Sequence, residues 1–147
     1  MQSAHEEFRK LAWKCGLAAT HQRQVIYEAV LSAPGHYSAE AIYADVRQKT
    51  PSISLATVYN NLRLFVEHGL LREVSPHAST LLVEANLEPH HHLVCKRCKA
   101  VQDIEGDFID RKKLSQQAPR GFDLTGPLVD VFGICRRCSV KALKTTS

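Results

Sequence analysis

Ser54-Leu55-Ala56-Thr57-Val58-Tyr59-Asn60-Asn61-Leu62-Arg63-Leu64-Phe65 is the stretch on which the reading of the fold turns. At helical spacing, Leu55, Val58, Leu62, Phe65 and the following Val66 fall on one apolar face, which should pack on neighbouring helices. The opposite face carries Ala56, Thr57, Asn60 and Arg63. Small residues admit close approach to a major groove, and Asn and Arg side chains match the donors and acceptors on base edges. Tyr59 lies at the border of the two faces, placed to touch a phosphate or a thymine methyl, while Leu64 sits on the outward side and breaks a clean groove-facing surface. Ser54 reads as the N-cap and Gly69 as the stop. Taken alone, the pattern fits a solvated amphipathic helix equally well, so the flanking sequence has to decide.

Upstream, Phe8, Leu11, Ala12 and Cys15 recur at helical spacing over Glu6 to Cys15, and Gly16 breaks the run. Thr20 is placed to cap a helix from about His21 to Leu31, and Pro34-Gly35 interrupts the chain. Ser38 caps the next helix, which runs to about Lys49 before Thr50-Pro51. Downstream, Leu70 to Val74, a turn at Ser75-Pro76-His77-Ala78, and Ser79 to Glu84 read as a β-hairpin. Short helices followed by a hairpin is the order of a winged helix-turn-helix, and it makes the Ser54–Phe65 stretch its recognition helix. The second half mixes strands (Leu93-Val94, Ala100 to Ile104, Leu128 to Ile134) with one helix over about Asp107 to Gln117. The expected class is α+β, with a winged-helix domain over 1–83, a hinge over 84–89 and a smaller α+β domain over 90–147.

The 147 residues suit two small domains, and 44% hydrophobic with 23% charged residues is the balance of a soluble globular chain. No apolar run reaches the roughly 18–20 residues that span a bilayer, and Met1 to Lys14 has no signal-peptide core. The expectation is a cytoplasmic protein with no membrane partner. The net charge of +4 is not an argument for DNA binding, because residues 1–85 carry eight basic and eight acidic side chains. The excess lies in residues 86–147, much of it beside cysteines, at Lys96, Arg97, Lys99, Arg136 and Arg137. Cations there would offset the double negative charge of a zinc ion held by thiolates.

Cys95-Lys96-Arg97-Cys98 and Cys135-Arg136-Arg137-Cys138 are two C-x-x-C knuckles. Together they offer one tetrahedral, closed set of thiolates for structural Zn(II), a staple that a domain of this size needs. A pair of dithiols or disulfides is the competing reading, disfavoured in the cytoplasm. The fifth cysteine, Cys15, stands alone on a helical face and reads as a small buried hydrophobe. His90-His91-His92 precedes the first knuckle. On a strand, His90 and His92 point to one side and His91 to the other, and Asp103 returns to the same side from the next strand. With His36 and Glu84 they make a mixed nitrogen and oxygen set suited to Fe(II), Mn(II) or Zn(II), with one octahedral position left open. His36 and Glu84 belong to the first domain and His90, His92 and Asp103 to the second, so a shared ion would fix the angle between domains. That would set the spacing of two recognition helices in a dimer, selecting the DNA-competent form. A solvated histidine run at a boundary is the competing reading; His5, His21, His68 and His77 are read as ordinary surface or core histidines.

The chain resembles the ferric uptake regulator (Fur) family in Thr20-His21-Gln22-Arg23, His36 to Tyr43, Ser54 to Arg63, His90 to Cys98 and Cys135 to Cys138. The resemblance implies a homodimer, formed through the second domain, that represses genes from a palindromic double-stranded operator. It implies one structural Zn(II) per subunit on Cys95, Cys98, Cys135 and Cys138. A regulatory Fe(II) or Mn(II), one per subunit, is implied on His36, Glu84, His90, His92 and Asp103. The DNA-contacting residues are then Arg23, Ala56, Thr57, Tyr59, Asn60 and Arg63. Within the family the peroxide-responsive (PerR) branch is most similar. There, bound Fe(II) reacts with hydrogen peroxide and a ligand histidine, here His36 or His90, is oxidised, releasing metal and DNA. Glu84 instead resembles the iron-responsive branch, and an iron-, manganese- or zinc-responsive uptake repressor stands as the alternative.

A non-haem iron enzyme is the rival from another class, since two histidines and a carboxylate can host an oxygenase. No H-E-x-x-H run and no deaminase-type H-x-E before P-C-x-x-C occur. The expectation is a regulator without enzyme activity, and with no small-molecule substrate beyond peroxide.

Overall fold

The computed structural model describes residues 4–32, 35–74, 80–124 and 129–144. The expected turn over Ser75-Pro76-His77-Ala78, with Pro34 and Gly126-Pro127, lies outside them. The chain divides into two compact units, Met1–Leu87 and Glu88–Ser147.

The first unit holds α1 (Ala4–Lys14), α2 (His21–Leu31), α3 (Ala39–Lys49) and α4 (Leu55–Glu67), and the last three start where capping chemistry places them. Thr20, Ser38 and Ser54 are extended and accept from the backbone N–H of Arg23, Ala41 and Thr57, respectively, each satisfying a donor the helix start would otherwise leave open. The helices bury Phe8, Ile26, Val30, Val46, Val58, Leu62 and Phe65 together. Phe8, Tyr27 and Phe65 form an aromatic triangle with ring centroids 5.2, 5.7 and 6.1 Å apart. The hairpin strands β2 (Arg72–Val74) and β3 (Leu82–Glu84) are joined by a strand absent from the sequence reading, β1 (Tyr37–Ser38), in the antiparallel order β1-β3-β2. β1 is two residues long, and only the edge that β3 offers makes it a strand; Tyr37 lies opposite Val83.

Two expectations for α4 need correction. Leu55, the first residue of α4 and expected on the packed face, is 39% exposed. Leu64, expected to face outward, is half-buried against the core. It shares its flank with Asn61, which is bonded to Arg23 on α2, so the covered arc of α4 is wider than its apolar stripe.

In the second unit, β4 (His91–Cys95) is central, with β5 (Val101–Ile104) antiparallel on one side and β6 (Asp130–Gly133) parallel on the other. The expected helix over 107–117 is shorter: α5 (Arg111–Gln117) begins only where Asp110 caps it, its Oδ1 accepting from Lys113 N–H. A further helix, α6 (Arg136–Lys144), was not expected; it starts at the second knuckle. Among the described residues no helix is long and apolar enough to cross a membrane.

Candidate metal centres and nucleic-acid interface

The first knuckle sits in the turn between β4 and β5. Cys95 N–H donates to Ala100 O and Lys99 N–H to Cys95 O, each at 2.9 Å. Lys99 takes φ +61°, a conformation that usually selects Gly or Asn. The second knuckle follows β6, and Lys96 N–H donates to Gly133 O at 2.9 Å, binding the two segments side by side. The four sulfurs of Cys95, Cys98, Cys135 and Cys138 lie within 4.8 Å of one another. Cys98 and Cys135 are 3.7 Å apart, close to the roughly 3.8 Å edge of a tetrahedron with Zn–S bonds of about 2.3 Å. The donor set and its spacing therefore fit zinc.

The surroundings sort these thiols. Backbone N–H groups of Cys135 and Cys98 lower the Cys95 pKa to about 6, and Cys135 N–H reaches the Cys95 sulfur at 3.4 Å. The N–H of Ala100 and the Arg137 guanidinium lower Cys98, while burial raises Cys138 to about 12. Arg137 is raised in turn by its bond to Cys98, and Arg97 donates to Cys138 O at 3.1 Å. Two of the five flanking cations thus engage the cysteine segments directly. Cys15 is half-buried against the first unit's core, and its carbonyl is 2.7 Å from His68 Nδ1.

At the other end of β4 the alternation of the histidines is realised. His92 pairs with Asp103 across the β4–β5 ladder. His90 Nε2 and His92 Nε2 are 3.0 Å apart, and Asp103 Oδ1 is 3.5 Å from the first and 3.6 Å from the second. Donors about 2.1 Å from an ion lie roughly 3.0–3.4 Å apart in octahedral or tetrahedral geometry, so this triangle has the dimensions of one face of a metal site. The other ring nitrogens are already used. His90 Nδ1 is 2.8 Å from Glu88 O, and His92 Nδ1 is 3.1 Å from Asp130 Oδ1. A carbonyl or carboxylate at Nδ1 holds the proton there and leaves Nε2 as the lone-pair donor. Asp130 was missed by sequence reasoning, because nothing local links it to a histidine 38 residues away.

His91 points the other way. Val129 N–H donates to its Nδ1 at 3.2 Å and its Nε2 donates to Gly106 O at 3.0 Å, fixing a neutral tautomer inside the unit. Gly106 has φ +141°, and a Cβ there would meet the Phe108 ring at 2.7 Å.

In the first unit, His36 Nε2 is 3.3 Å from Glu84 Oε2, both side chains largely buried. Glu84 lies opposite Arg72 in the β2–β3 ladder, and Arg72 Nη1 approaches Glu84 Oε1 at 3.8 Å.

On α4, Ala56, Asn60 and Arg63 are exposed, Thr57 is half-buried and Tyr59 is at the border, 36% exposed. Arg63 donates through Nε and Nη2 to Tyr59 Oη at 3.2 and 2.9 Å. Arg23, grouped with the DNA-contacting residues, has two donors committed within the unit: Nε to Asn61 Oδ1 at 3.2 Å and Nη1 to Ala18 O at 2.8 Å. It braces α2 against α4.

The model of the ferric uptake regulator family matches residues 14–132. The chain is 33% identical to the peroxide-responsive repressor PerR of Staphylococcus epidermidis, over 85% of this chain and 83% of that one. It is 31% identical to the ferric uptake regulation protein of Campylobacter jejuni, over 95% and 90%. Its structure matches that of the Pseudomonas aeruginosa ferric uptake regulator with manganese, with TM-score 0.69 and 26% identity, covering 92% of this chain and 99% of that one.

Proposed function

Given that the chain belongs to the ferric uptake regulator family, whose members are transcriptional regulators and not enzymes, we propose that it is a metal-dependent, DNA-binding repressor whose metal site responds to hydrogen peroxide. The observation that carries this reading is the triangle of His90 Nε2, His92 Nε2 and Asp103 Oδ1, with both histidines oriented through Nδ1. Two imidazoles and one carboxylate on a face, with further positions to fill, is the donor pattern of Fe(II) and Mn(II) sites. We assign His36 and Glu84 as the remaining ligands, so that one regulatory ion per subunit ties the first unit to the second. The assignment rests on donor chemistry and on the family resemblance. The cysteine cluster would hold one structural Zn(II) per subunit.

Fe(II), when bound, would supply the one-electron chemistry that splits the peroxide O–O bond, so that in net terms peroxide gives one oxygen atom to a neighbouring imidazole and leaves as water. The protein's own part is to hold His90 and His92 as neutral Nε2 donors and to lose that set when a ring is oxidised. Losing the ligand removes the preference for the DNA-competent form. Ala56, Thr57, Tyr59, Asn60 and Arg63 would face the operator, read by two recognition helices of a homodimer from a palindromic site. We place the dimer contact on the second unit, where Leu93, Val131, Phe132 and Ile134 expose apolar surface. Such a repressor works in the cytoplasm, where the DNA is.

Glu84, which resembles the iron-responsive branch, and the likeness to the Campylobacter protein favour a second reading, an iron-, manganese- or zinc-responsive repressor indifferent to peroxide. Operator binding by fluorescence anisotropy separates the two. Zinc-only, Mn(II)-loaded and Fe(II)-loaded protein are compared, then exposed to low hydrogen peroxide. The peroxide reading expects metal-dependent binding that peroxide abolishes only with Fe(II), with one added oxygen on the peptide holding His36 or His90. Peroxide-insensitive binding with both metals establishes the second reading, and metal-independent binding removes both.

A further inference from the structure

His92 is fully buried and its Nδ1 meets Asp130 Oδ1 at 3.1 Å. Asp130 is the first residue of β6, a strand that pairs with β4 in parallel, with His92 opposite Asp130 and Cys95 opposite Gly133. This register is pinned at both ends. His92 N–H donates to Val129 O at 3.0 Å at one end; at the other, Lys96 N–H donates to Gly133 O and Cys135 N–H to the Cys95 sulfur. A slip of one residue would bring Val129 or Val131 opposite His92 and turn the carboxylate to the other face of the sheet. The strand that carries the second zinc knuckle therefore also carries the group that orients His92.

We propose that Asp130 is a positioning residue for the regulatory site: it accepts the Nδ1 proton of His92, fixes the Nε2 donor tautomer and aims that donor at the point His90 and Asp103 share. This rests on His92 being a regulatory ligand, as argued above. A carboxylate behind a ligating histidine makes it a better donor, and losing such a partner typically weakens metal binding 10–100-fold. Asp130 does not itself join the triangle, because the imidazole ring lies between it and the site. Its effect should therefore be graded, unlike that of a ligand.

The test compares wild type with Asp130→Ala and Asp130→Asn, each holding one zinc per subunit. Long-range proton–nitrogen correlation spectra report the His92 tautomer in protein without regulatory metal, and Mn(II) titration followed by electron paramagnetic resonance reports affinity. In wild type His92 should be protonated at Nδ1. In Asp130→Ala it should become a tautomer mixture, with Mn(II) Kd raised about 10–100-fold and zinc content unchanged. Asp130→Asn, whose carbonyl can still accept the proton, should keep most of the Nδ1–H tautomer and lose less affinity. Should Asp130→Ala fail to retain zinc, the Asn variant decides, because full wild-type affinity in it removes the carboxylate's role. An unchanged tautomer and a Kd within twofold of wild type in both variants would overturn the proposal. If wild type binds no Mn(II), the regulatory-site reading itself fails, and the tautomer comparison alone decides whether Asp130 governs His92.

Discussion

His90 and His92 bring their Nε2 atoms to 3.0 Å with the rings nearly perpendicular, at 88°. With each Nδ1 held by an acceptor, both Nε2 atoms turn toward one another and toward Asp103 Oδ1, an arrangement that a shared cation would complete. The consequence is an asymmetry between the two sites on β4. Replacing either histidine with Ala should weaken Mn(II) binding at least 100-fold while one zinc per subunit remains, as elemental analysis and Mn(II) titration on the same samples would show. Loss of zinc with the regulatory ion would mean that the two ends of β4 are not independent ligand sets.

The cysteine cluster makes a prediction about pH. Cys95 is lowered to about 6 by backbone N–H groups and Cys138 raised to about 12 by burial. In zinc-free protein that keeps its fold, thiolate absorbance near 240 nm should rise through a step centred near pH 6 that Cys95→Ser removes. The sign for stability follows. A depressed thiol pKa contributes fully above its unfolded value, near 8.5, and the contribution is lost as pH falls through about 6. Zinc affinity should fall more steeply with acid below that pH, where one more proton competes for a sulfur. A first thiolate step near pH 8.5 would sink this ordering.

Which features were legible beforehand follows from how local their causes are. The winged-helix unit was legible because Thr20, Ser38 and Ser54 cap helices through bonds that reach only three residues. Cys95 and Cys98, like Cys135 and Cys138, announce themselves by spacing. The His90, His92 and Asp103 face followed from strand alternation plus one hairpin, since β4 and β5 are neighbours in sequence. Asp130 was not legible, because its role exists only through a parallel pairing between distant strands. The bonds of Arg23 to Asn61 and Ala18 were hidden for a different reason. A long basic side chain near a recognition helix suits phosphate as well as a neighbouring amide, and its place in the sequence favours neither.

On α4, Tyr59 and Arg63 should behave as a unit. Two guanidinium nitrogens bind one phenol oxygen, so the tyrosine fixes where the cation is presented. Tyr59→Phe should lower operator affinity about 3–10-fold, and the double variant with Arg63→Ala should lose less than the sum of the two. Asn60→Ala should instead relax base preference, costing about 1–3 kcal/mol at one position of the site. Additive losses from Tyr59 and Arg63 would show that each meets the DNA alone.

Arg23 and Asn61 separate stability from DNA contact. Asn61 Nδ2 donates to Thr57 O at 2.8 Å, and its Oδ1 accepts from Arg23 Nε at 3.2 Å. The amide therefore ties α2 to the first turn of α4, directly beneath Thr57 and Ala56. Asn61→Ala removes both bonds at part-buried atoms, and each such bond is worth about 0.5–1.5 kcal/mol. The first unit should lose roughly 1–2 kcal/mol of stability in denaturant unfolding, read on the transition of the Tyr27 and Trp13 side. Operator affinity should fall for all sequences alike, because α4 is less well held rather than stripped of a base contact. Arg23→Ala should reproduce the stability loss. If it leaves stability unchanged and instead reduces the salt dependence of DNA binding by about one charge, Arg23 binds phosphate, and its bond to Asn61 gives way in the complex.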